Sequence, residues 1–240
     1  MSNNEKQKAA EEISALYETV TRLRAEDGCP WDKAQTHEST KLHLLEEAYE
    51  VHQAISDLTA TGDPGHLIEE LGDLLFQIVL HAQIGEEGGE FTIDDVVDKV
   101  CRKMIHRHPH VFKGQTYSSV EEQQADWESL KAEEHGQLTD SAREELLAVP
   151  AAFPALIRGQ KIAKKAARRH LISGNETDIF RDLFQSVLEL GVSSSEDREI
   201  SSENLGRSLG RTLFALCRFA QIHGLSAEEA LIDEIERNIP

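Results

Sequence analysis

Acidic residues recur at spacings of three and four in two neighbouring segments, LLEEAYEVHQAI at residues 44–55 and HLIEELGDLLFQIVLHAQI at residues 66–84. In a helix of about 3.6 residues per turn, Glu47 and Glu50 share one face, and so do Glu70 and Asp73. If the two helices pack antiparallel, these carboxylates meet at one point. Left unpaired there, they would repel each other and lose hydration, at a cost of several kcal/mol.

A divalent cation would compensate for this negative charge. No Lys or Arg lies between residues 44 and 80, so this part of the chain supplies no cation of its own. Carboxylate oxygens without a Cys pair or converging His residues favour Mg²⁺, with Mn²⁺ as a substitute, over Zn²⁺. The alternative interpretation is an exposed acidic face in a chain with 44 Asp and Glu against 25 Lys and Arg.

The elements that must position these acids are helices. The sequence Gly62-Asp63-Pro64-Gly65 separates the two acid-bearing segments and allows them to turn back on each other. No segment alternates convincingly as a strand does, so we predict an all-α fold of the bundle type. Apolar residues recur at helical spacing in nine segments: 5–26, 39–60, 66–87, 93–107, 119–135, 155–171, 177–190, 203–223 and 226–237.

An internal repeat indicates that a helical unit has been duplicated. ELGDLLFQIVLHAQI at residues 70–84 aligns without gaps with SLGRTLFALCRFAQI at residues 208–222. Loop-forming residues indicate linkers at 136–154 and at 191–204. We therefore predict a first unit at residues 1–135, a linker at 136–154 and a second unit at 155–240.

The second unit keeps the apolar pattern but loses the acids. Ser208 and Arg211 stand where Glu70 and Asp73 stand in the first unit. The packing pattern therefore survives without the acids, so the acids are not needed for packing. The counterparts of Glu47 and Glu50 are either Gln185 and Leu188 or, if one residue is skipped, Ser186 and Glu189.

Composition narrows the classes of partner. The net charge of −19 argues against nucleic acid or an anionic membrane as the main partner. Three widely spaced cysteines, Cys29, Cys101 and Cys217, form no disulfide framework. The first twenty residues lack the apolar core of a signal peptide, and no segment has the roughly 20 apolar residues that span a bilayer. We predict a cytoplasmic protein.

The ordered set of motifs resembles the MazG family of nucleoside triphosphate pyrophosphohydrolases. GCPWDKAQTHES precedes the first acid-bearing segment, EELGDLLFQIV forms the second, and HRHPHVF follows them. The resemblance implies an all-α fold, a homodimer whose bundle is completed between subunits, and Mg²⁺-dependent cleavage of a nucleoside triphosphate to a monophosphate and pyrophosphate. The family pattern EExxE followed by ExxD is met by Glu46, Glu47, Glu50, Glu70 and Asp73.

The resemblance also implies roles for these and other residues. Glu47, Glu50, Glu70 and Asp73 would be the metal ligands, and Glu46 a carboxylate that orients water. Other positions match those that bind phosphate or close over the nucleotide in the family: Lys103 and Arg107 for phosphate, and Trp127 and Lys131 for closure. Alternatively, Lys103 and Arg107 are ordinary exposed cations of a helix. For Trp127, the alternative is a residue of the packed core.

The segment GCPWDKAQTH presents residue types that suit recognition of a base or ribose. Trp31, Asp32, Lys33 and Gln35 belong to it, and a loop anchored by a buried Trp is the alternative interpretation. His43, just before the glutamates, is a further candidate for nucleotide binding.

Two further runs of residues are given no role in metal binding or in the reaction. His106, His108 and His110 resemble a metal-binding tract, but Pro109 interrupts the helical geometry, so we do not predict a metal there. RGQKIAKKAARRH at residues 158–170 is strongly basic. We interpret it as a solvated helix or a subunit contact, not a nucleic-acid site, because the chain is acidic overall.

We predict a Mg²⁺-dependent nucleoside triphosphate pyrophosphohydrolase that removes unwanted nucleotides, with activity in the first unit. The second unit is expected to be structural, dimer-forming or regulatory. One alternative is a narrow enzyme acting on dUTP, dCTP or phosphoribosyl-ATP. An alternative from another class is a metal-stabilised helical interaction module without turnover.

Overall fold

The computed structural model describes residues 2–134, 141–193 and 202–239. Within these ranges the regular structure is helical and no strand occurs, which confirms the predicted all-α class. The helices are α1 (Asn3–Arg24), α2 (Pro30–Lys33), α3 (Lys41–Thr61), α4 (Gly65–Glu87), α5 (Ile93–Arg107), α6 (Pro109–Phe112), α7 (Val120–Glu134), α8 (Ala142–Leu147), α9 (Ala155–Arg168), α10 (Glu176–Ser193), α11 (Ser202–Ile222) and α12 (Ala227–Asn238).

The longer helices lie where the apolar periodicity predicts them, with ends that differ by a few residues. Three short helices were not predicted. α2 and α6 each begin with a proline, whose fixed φ suits the first helical position. α8 lies inside the segment predicted as a linker, and parts of both predicted linkers (136–140 and 194–201) fall outside the described residues.

The turn between α3 and α4 sets the geometry of the acidic segments. Gly62 ends α3 with a φ of 75°, a left-handed conformation that glycine adopts without strain. The carboxylate of Asp63 then accepts a hydrogen bond of 2.9 Å from the backbone N–H of Gly65, where α4 begins. Because so few residues join two helices that contact each other, α3 and α4 pack as an antiparallel pair.

Contacts between Cα atoms divide the chain into two compact units, Met1–Val120 and Glu121–Pro240. In the first unit α4 is central, since it packs against α1, α3 and α5. Val20 of α1 and Val79 and Leu80 of α4 form its buried core, with Leu16, Tyr17, Phe76 and Ile84 packed around them. The core therefore lies on the α1 side of α4.

In the second unit α11 is central and packs against α9, α10 and α12. Small buried residues let these helices approach closely. A Cβ added at Gly159 of α9 would lie 2.9 Å from Sγ of Cys217 in α11, so a larger residue there would force the Cys217 side chain to move. Buried apolar residues of the unit include Ala163, Ala166, Ile179, Ala215 and Ala220.

None of the helices in the described ranges combines the length and the apolar character needed to cross a membrane.

Candidate metal centre

Three of the predicted acids converge between α3 and α4. Glu47 of α3 and Glu70 and Asp73 of α4 each offer a carboxylate oxygen, and these oxygens lie within 4.8 Å of one another. Glu47 and Glu70 are half-buried and Asp73 is exposed. Within residues 2–134, 141–193 and 202–239, this is the one group of three or more acidic, His or Cys side chains with such a spacing.

The pKa of the Glu47 carboxyl is changed by burial and by the neighbouring carboxylates. Burial raises the pKa of its carboxyl, and the negative charges of Asp73 and Glu50 raise it further. A hydrogen bond from the Gln77 amide acts in the opposite direction. The carboxylates therefore repel one another in the absence of a cation.

Gln77 is a part of this region that the sequence analysis missed. It lies one turn after Asp73 on α4, and its side chain is 7 % exposed. Its amide bonds to Glu47, whereas its Oε1 atom is buried and has no hydrogen-bond donor. A buried acceptor beside clustered carboxylates fits a hydrated cation, whose waters can donate to it.

His66 is a second residue that was missed. Its Nδ1 atom lies 2.8 Å from the carboxylate of Asp57 on α3, and its Nε2 atom lies 3.1 Å from Oε1 of Glu70. The hydrogen bond to Asp57, together with the nearby charge of Glu70, raises the pKa of His66. The imidazole thus joins α3 to Glu70 and restricts the orientation of that carboxylate. Only the i, i+4 spacing of His66 and Glu70 signalled this in the sequence.

The remaining acids of the motif lie at the edge of the cluster. Glu50 is close enough to Glu47 for a side-chain hydrogen bond, but it is outside the group of three. The exposed Glu46 pairs with Nδ1 of His43 at 3.1 Å. His43 and Glu46 therefore form a polar pair on α3, just before Glu47 in the chain.

The segment that contains Trp31, Asp32, Lys33 and Gln35 is fastened to α1. The guanidinium of the buried Arg24 donates to the backbone carbonyls of Asp32 and Gln35, at 2.5 and 3.1 Å. The same guanidinium makes a two-point ion pair with Glu87 of α4. The Trp31 side chain is 72 % exposed, so the alternative of a loop anchored by a buried Trp is wrong.

A histidine pair fixes the other end of this segment. Nδ1 of His37 and Nδ1 of His81 on α4 are 2.8 Å apart, and Nε2 of His81 is 3.3 Å from Oγ1 of the buried Thr40. Burial lowers the pKa of His81, and the charge of His37 lowers it further. The segment before α3 is therefore attached to α4 through side chains, which determines where α3 begins.

The predicted substrate-binding residues lie on other helices. Arg107 is buried and Lys103 is half-buried on α5, so Arg107 is not an ordinary exposed helix cation. Lys131 and Trp127 are both half-buried on α7, and the Lys131 ammonium lies 5.0 Å from the centre of the Trp127 ring. That helix belongs almost entirely to the second compact unit, whereas the acids belong to the first.

Comparison with known proteins identifies the relatives of this chain. A profile of the MazG nucleotide pyrophosphohydrolase domain matches residues 35–112, which include Glu46, Glu47, Glu50, Glu70 and Asp73. The nucleoside triphosphate pyrophosphohydrolase of Escherichia coli K12 is 35 % identical over 221 residues, which are 92 % of this chain and 81 % of that enzyme. This chain belongs to the MazG family.

Other MazG relatives extend the comparison. The nucleoside triphosphate pyrophosphohydrolase/pyrophosphatase MazG of Thermotoga maritima is 34 % identical over 216 residues, covering 90 % of this chain and 78 % of that protein. The uncharacterized protein YabN of Bacillus subtilis is 40 % identical over 220 residues, 92 % of this chain. The match spans only 43 % of YabN, so that relative is much the longer protein.

In this MazG chain, the positions of the second unit that the sequence repeat aligns with the acids carry other side chains. Ser186 is 5 % exposed on α10, whereas Gln185 and Leu188 are exposed, so burial favours Ser186 and Glu189 as the counterparts of Glu47 and Glu50. Glu189 pairs with the guanidinium of Arg211 at 3.1 Å. Where the first unit gathers carboxylates, the second thus pairs the carboxylate of Glu189 with an exposed arginine.

Proposed function

We propose that this protein is a nucleoside triphosphate pyrophosphohydrolase whose first unit binds Mg²⁺, with Mn²⁺ as a substitute. The observation that carries the proposal is the convergence of Glu47, Glu70 and Asp73 within 4.8 Å, inside the segment that matches the family domain. The names of the relatives from Escherichia coli and Thermotoga maritima agree with this reaction.

The donor set fits a hard divalent cation. Glu47, Glu70 and Asp73 supply carboxylate oxygens, and Glu50 adds a fourth carboxylate next to Glu47. His66 holds Glu70, and Gln77 holds Glu47, so two of the ligands are oriented before the ion arrives. When bound, the ion neutralises the charge of the triphosphate and polarises a phosphoryl oxygen.

The chain's own residues then bind and orient the reactants. Glu46, held by His43, accepts a proton from the water that attacks the α-phosphorus. The new bond joins the water oxygen to the α-phosphorus, and the bond from this phosphorus to the bridging oxygen breaks, so that pyrophosphate leaves. Lys103 and Arg107 bind the phosphates. Trp31, Asp32, Lys33 and Gln35 contact the base or ribose.

The cellular role that follows is removal of unwanted nucleotides. The exposed Trp31 ring offers a stacking surface that any base can use. This favours a broad preference over an enzyme restricted to dUTP, dCTP or phosphoribosyl-ATP. The second unit is structural, dimer-forming or regulatory, since its Glu189–Arg211 pair replaces the acids.

The protein is also proposed to form a homodimer. Apolar side chains are exposed on α4 at Leu71, Leu75 and Ile78 and on α5 at Val100 and Met104, and exposed apolar side chains of this kind are common at subunit interfaces. Sedimentation velocity of the wild type and of Leu75→Asp tests this. A monomeric wild type contradicts it.

The reaction is tested with a panel of nucleoside triphosphates in ¹⁸O-labelled water, with and without Mg²⁺. We expect monophosphate and pyrophosphate only with the metal, and the label in the monophosphate. Comparison of rates across the panel distinguishes broad from narrow preference.

Glu70→Ala should abolish turnover, and Ser208→Ala at the position that the sequence repeat aligns with it should preserve turnover. Release of orthophosphate, or equal losses in both variants, would overturn the assignment.

A further inference from the structure

A cavity in the second unit has the opposite charge from the rest of the chain. It measures about 440 Å³ and lies among α7, α8 and α9 and the segment between α8 and α9. Small-molecule sites commonly have volumes of roughly 300–1,000 Å³. The lining carries five cationic side chains against two carboxylates in a protein whose net charge is −19. The cations are Lys131, Lys161, Lys164, Lys165 and Arg168.

The two carboxylates account for only part of this positive charge. Glu128 pairs with Lys164 at 3.1 Å. Glu145, whose side chain is 3 % exposed, contacts Arg168, Arg169 at 2.6 Å and Lys165 at 3.7 Å, so one carboxylate faces three cations. Burial alone would raise the pKa of Glu145, but the hydrogen bonds from Arg169 and Arg168 hold it below its usual value. The lining thus retains a positive surplus even with both carboxylates ionised.

The rest of the cavity wall is apolar. Ala148, Val149, Pro150 and Phe153 line it, and the Lys161 ammonium lies 5.3 Å from the centre of the Phe153 ring. A solvated basic helix needs no such wall. A ligand that matches the cavity has several negative charges at one end and a planar or apolar body at the other. A nucleotide has both.

We propose that this cavity is a second nucleotide-binding site, separate from the carboxylate cluster and independent of metal. The basic helix α9 then has a function beyond solvation, because its lysines bind phosphates while Phe153 contacts the base. The Mg²⁺ site is built from carboxylates and repels phosphates when the metal is removed. Chelation therefore favours the cavity, because in EDTA the carboxylate cluster repels the phosphates of a nucleotide whereas the cationic lining attracts them.

The experiment is isothermal titration calorimetry of the full chain with ATP in EDTA. We expect saturable binding that weakens as salt is added, because exposed charges are screened. Lys161→Ala combined with Lys164→Ala should weaken binding by roughly a hundredfold, about tenfold for each charge-assisted contact removed. Arginine at both positions should restore it. Arg237→Ala removes one exposed positive charge from α12 and serves as a control that should bind normally.

Two further measurements keep this result distinct from the proposed reaction. Glu70→Gln, which removes a proposed metal ligand, should leave the binding of ATP in EDTA unchanged. Inorganic pyrophosphate should bind more weakly than ATP, because it has no body to contact Phe153. The proposal is overturned if ATP does not bind in EDTA, if the double alanine variant binds as the wild type does while remaining folded, or if pyrophosphate binds as tightly as ATP.

Discussion

Replacing Glu47 by Gln should make the metal-free protein more stable and at the same time remove its response to Mg²⁺. The carboxylate oxygens of Glu47, Glu70 and Asp73 lie within 4.8 Å of one another. Two unit charges at that separation repel by about 3–4 kcal/mol at an effective dielectric constant near 20, and by about 1 kcal/mol in water. Asp73 is exposed and Glu47 is half-buried, so the lower figure applies.

Gln retains the shape of Glu and removes its charge. We therefore expect the melting temperature in EDTA to rise by about 2–4 °C, the shift that corresponds to about 1 kcal/mol in a chain of this size. The wild type should gain about 2.7 kcal/mol when Mg²⁺ is present at about a hundred times its dissociation constant. The variant should gain less than half of that, because it lacks one ligand.

Differential scanning calorimetry in EDTA and in a Mg²⁺ series measures both effects. Glu69→Gln is the matched control, since it removes an equal charge from α4 at an exposed position outside the group of three. It should neither raise the metal-free melting temperature by as much nor reduce the Mg²⁺ response. A lower melting temperature for Glu47→Gln in EDTA, or an unchanged Mg²⁺ response, would refute the carboxylate cluster as a metal site.

The pH dependence provides an independent test of the same reasoning. The pKa of Glu47 is raised above its usual value of 4.5 in the folded protein, so the folded state binds this proton more tightly than the unfolded state does. Stability from this group is present below pH 4.5 and is lost as the pH rises through the raised pKa. In EDTA, the wild type should thus lose stability over this interval relative to Glu47→Gln.

Two other predictions concern side chains that make ion pairs within one unit. Glu145→Ala removes the partner of Arg168 and Arg169 and should lower the free energy of unfolding by about 2–3 kcal/mol in a urea titration. Because the pKa of Glu145 is lowered when folded, the wild type should lose this advantage as the pH falls below 4.5, and an unchanged difference at acid pH would contradict it. His66→Ala should weaken Mg²⁺ binding about tenfold in a calorimetric titration, since ligands freed from a supporting partner bind less tightly. Undiminished affinity would show that His66 does not position Glu70.

Short-range rules explain why so much of the fold can be predicted from the sequence. A helix is determined by the spacing of its own apolar residues and by local breaks such as Gly62, so α3 and α4 and their antiparallel packing follow from residues 41–87. The three short helices were missed because each is too short for periodicity to reveal. α8 in particular is held by Glu145, whose partners Arg168 and Arg169 lie more than twenty residues later, at the end of α9.

The sequence by itself determined the helical class, the pairing of the acid-bearing helices and the identity of the acids, because residues three and four apart must share a helix face. The tertiary structure decided what surrounds those acids. His66 and Gln77 acquired their roles only when α3 and α4 packed, and packing also left Trp31 exposed and Arg107 buried. It likewise turned a basic helix into the wall of a cavity, because Phe153, Glu145 and Glu128 come from segments whose approach to α9 no local spacing encodes.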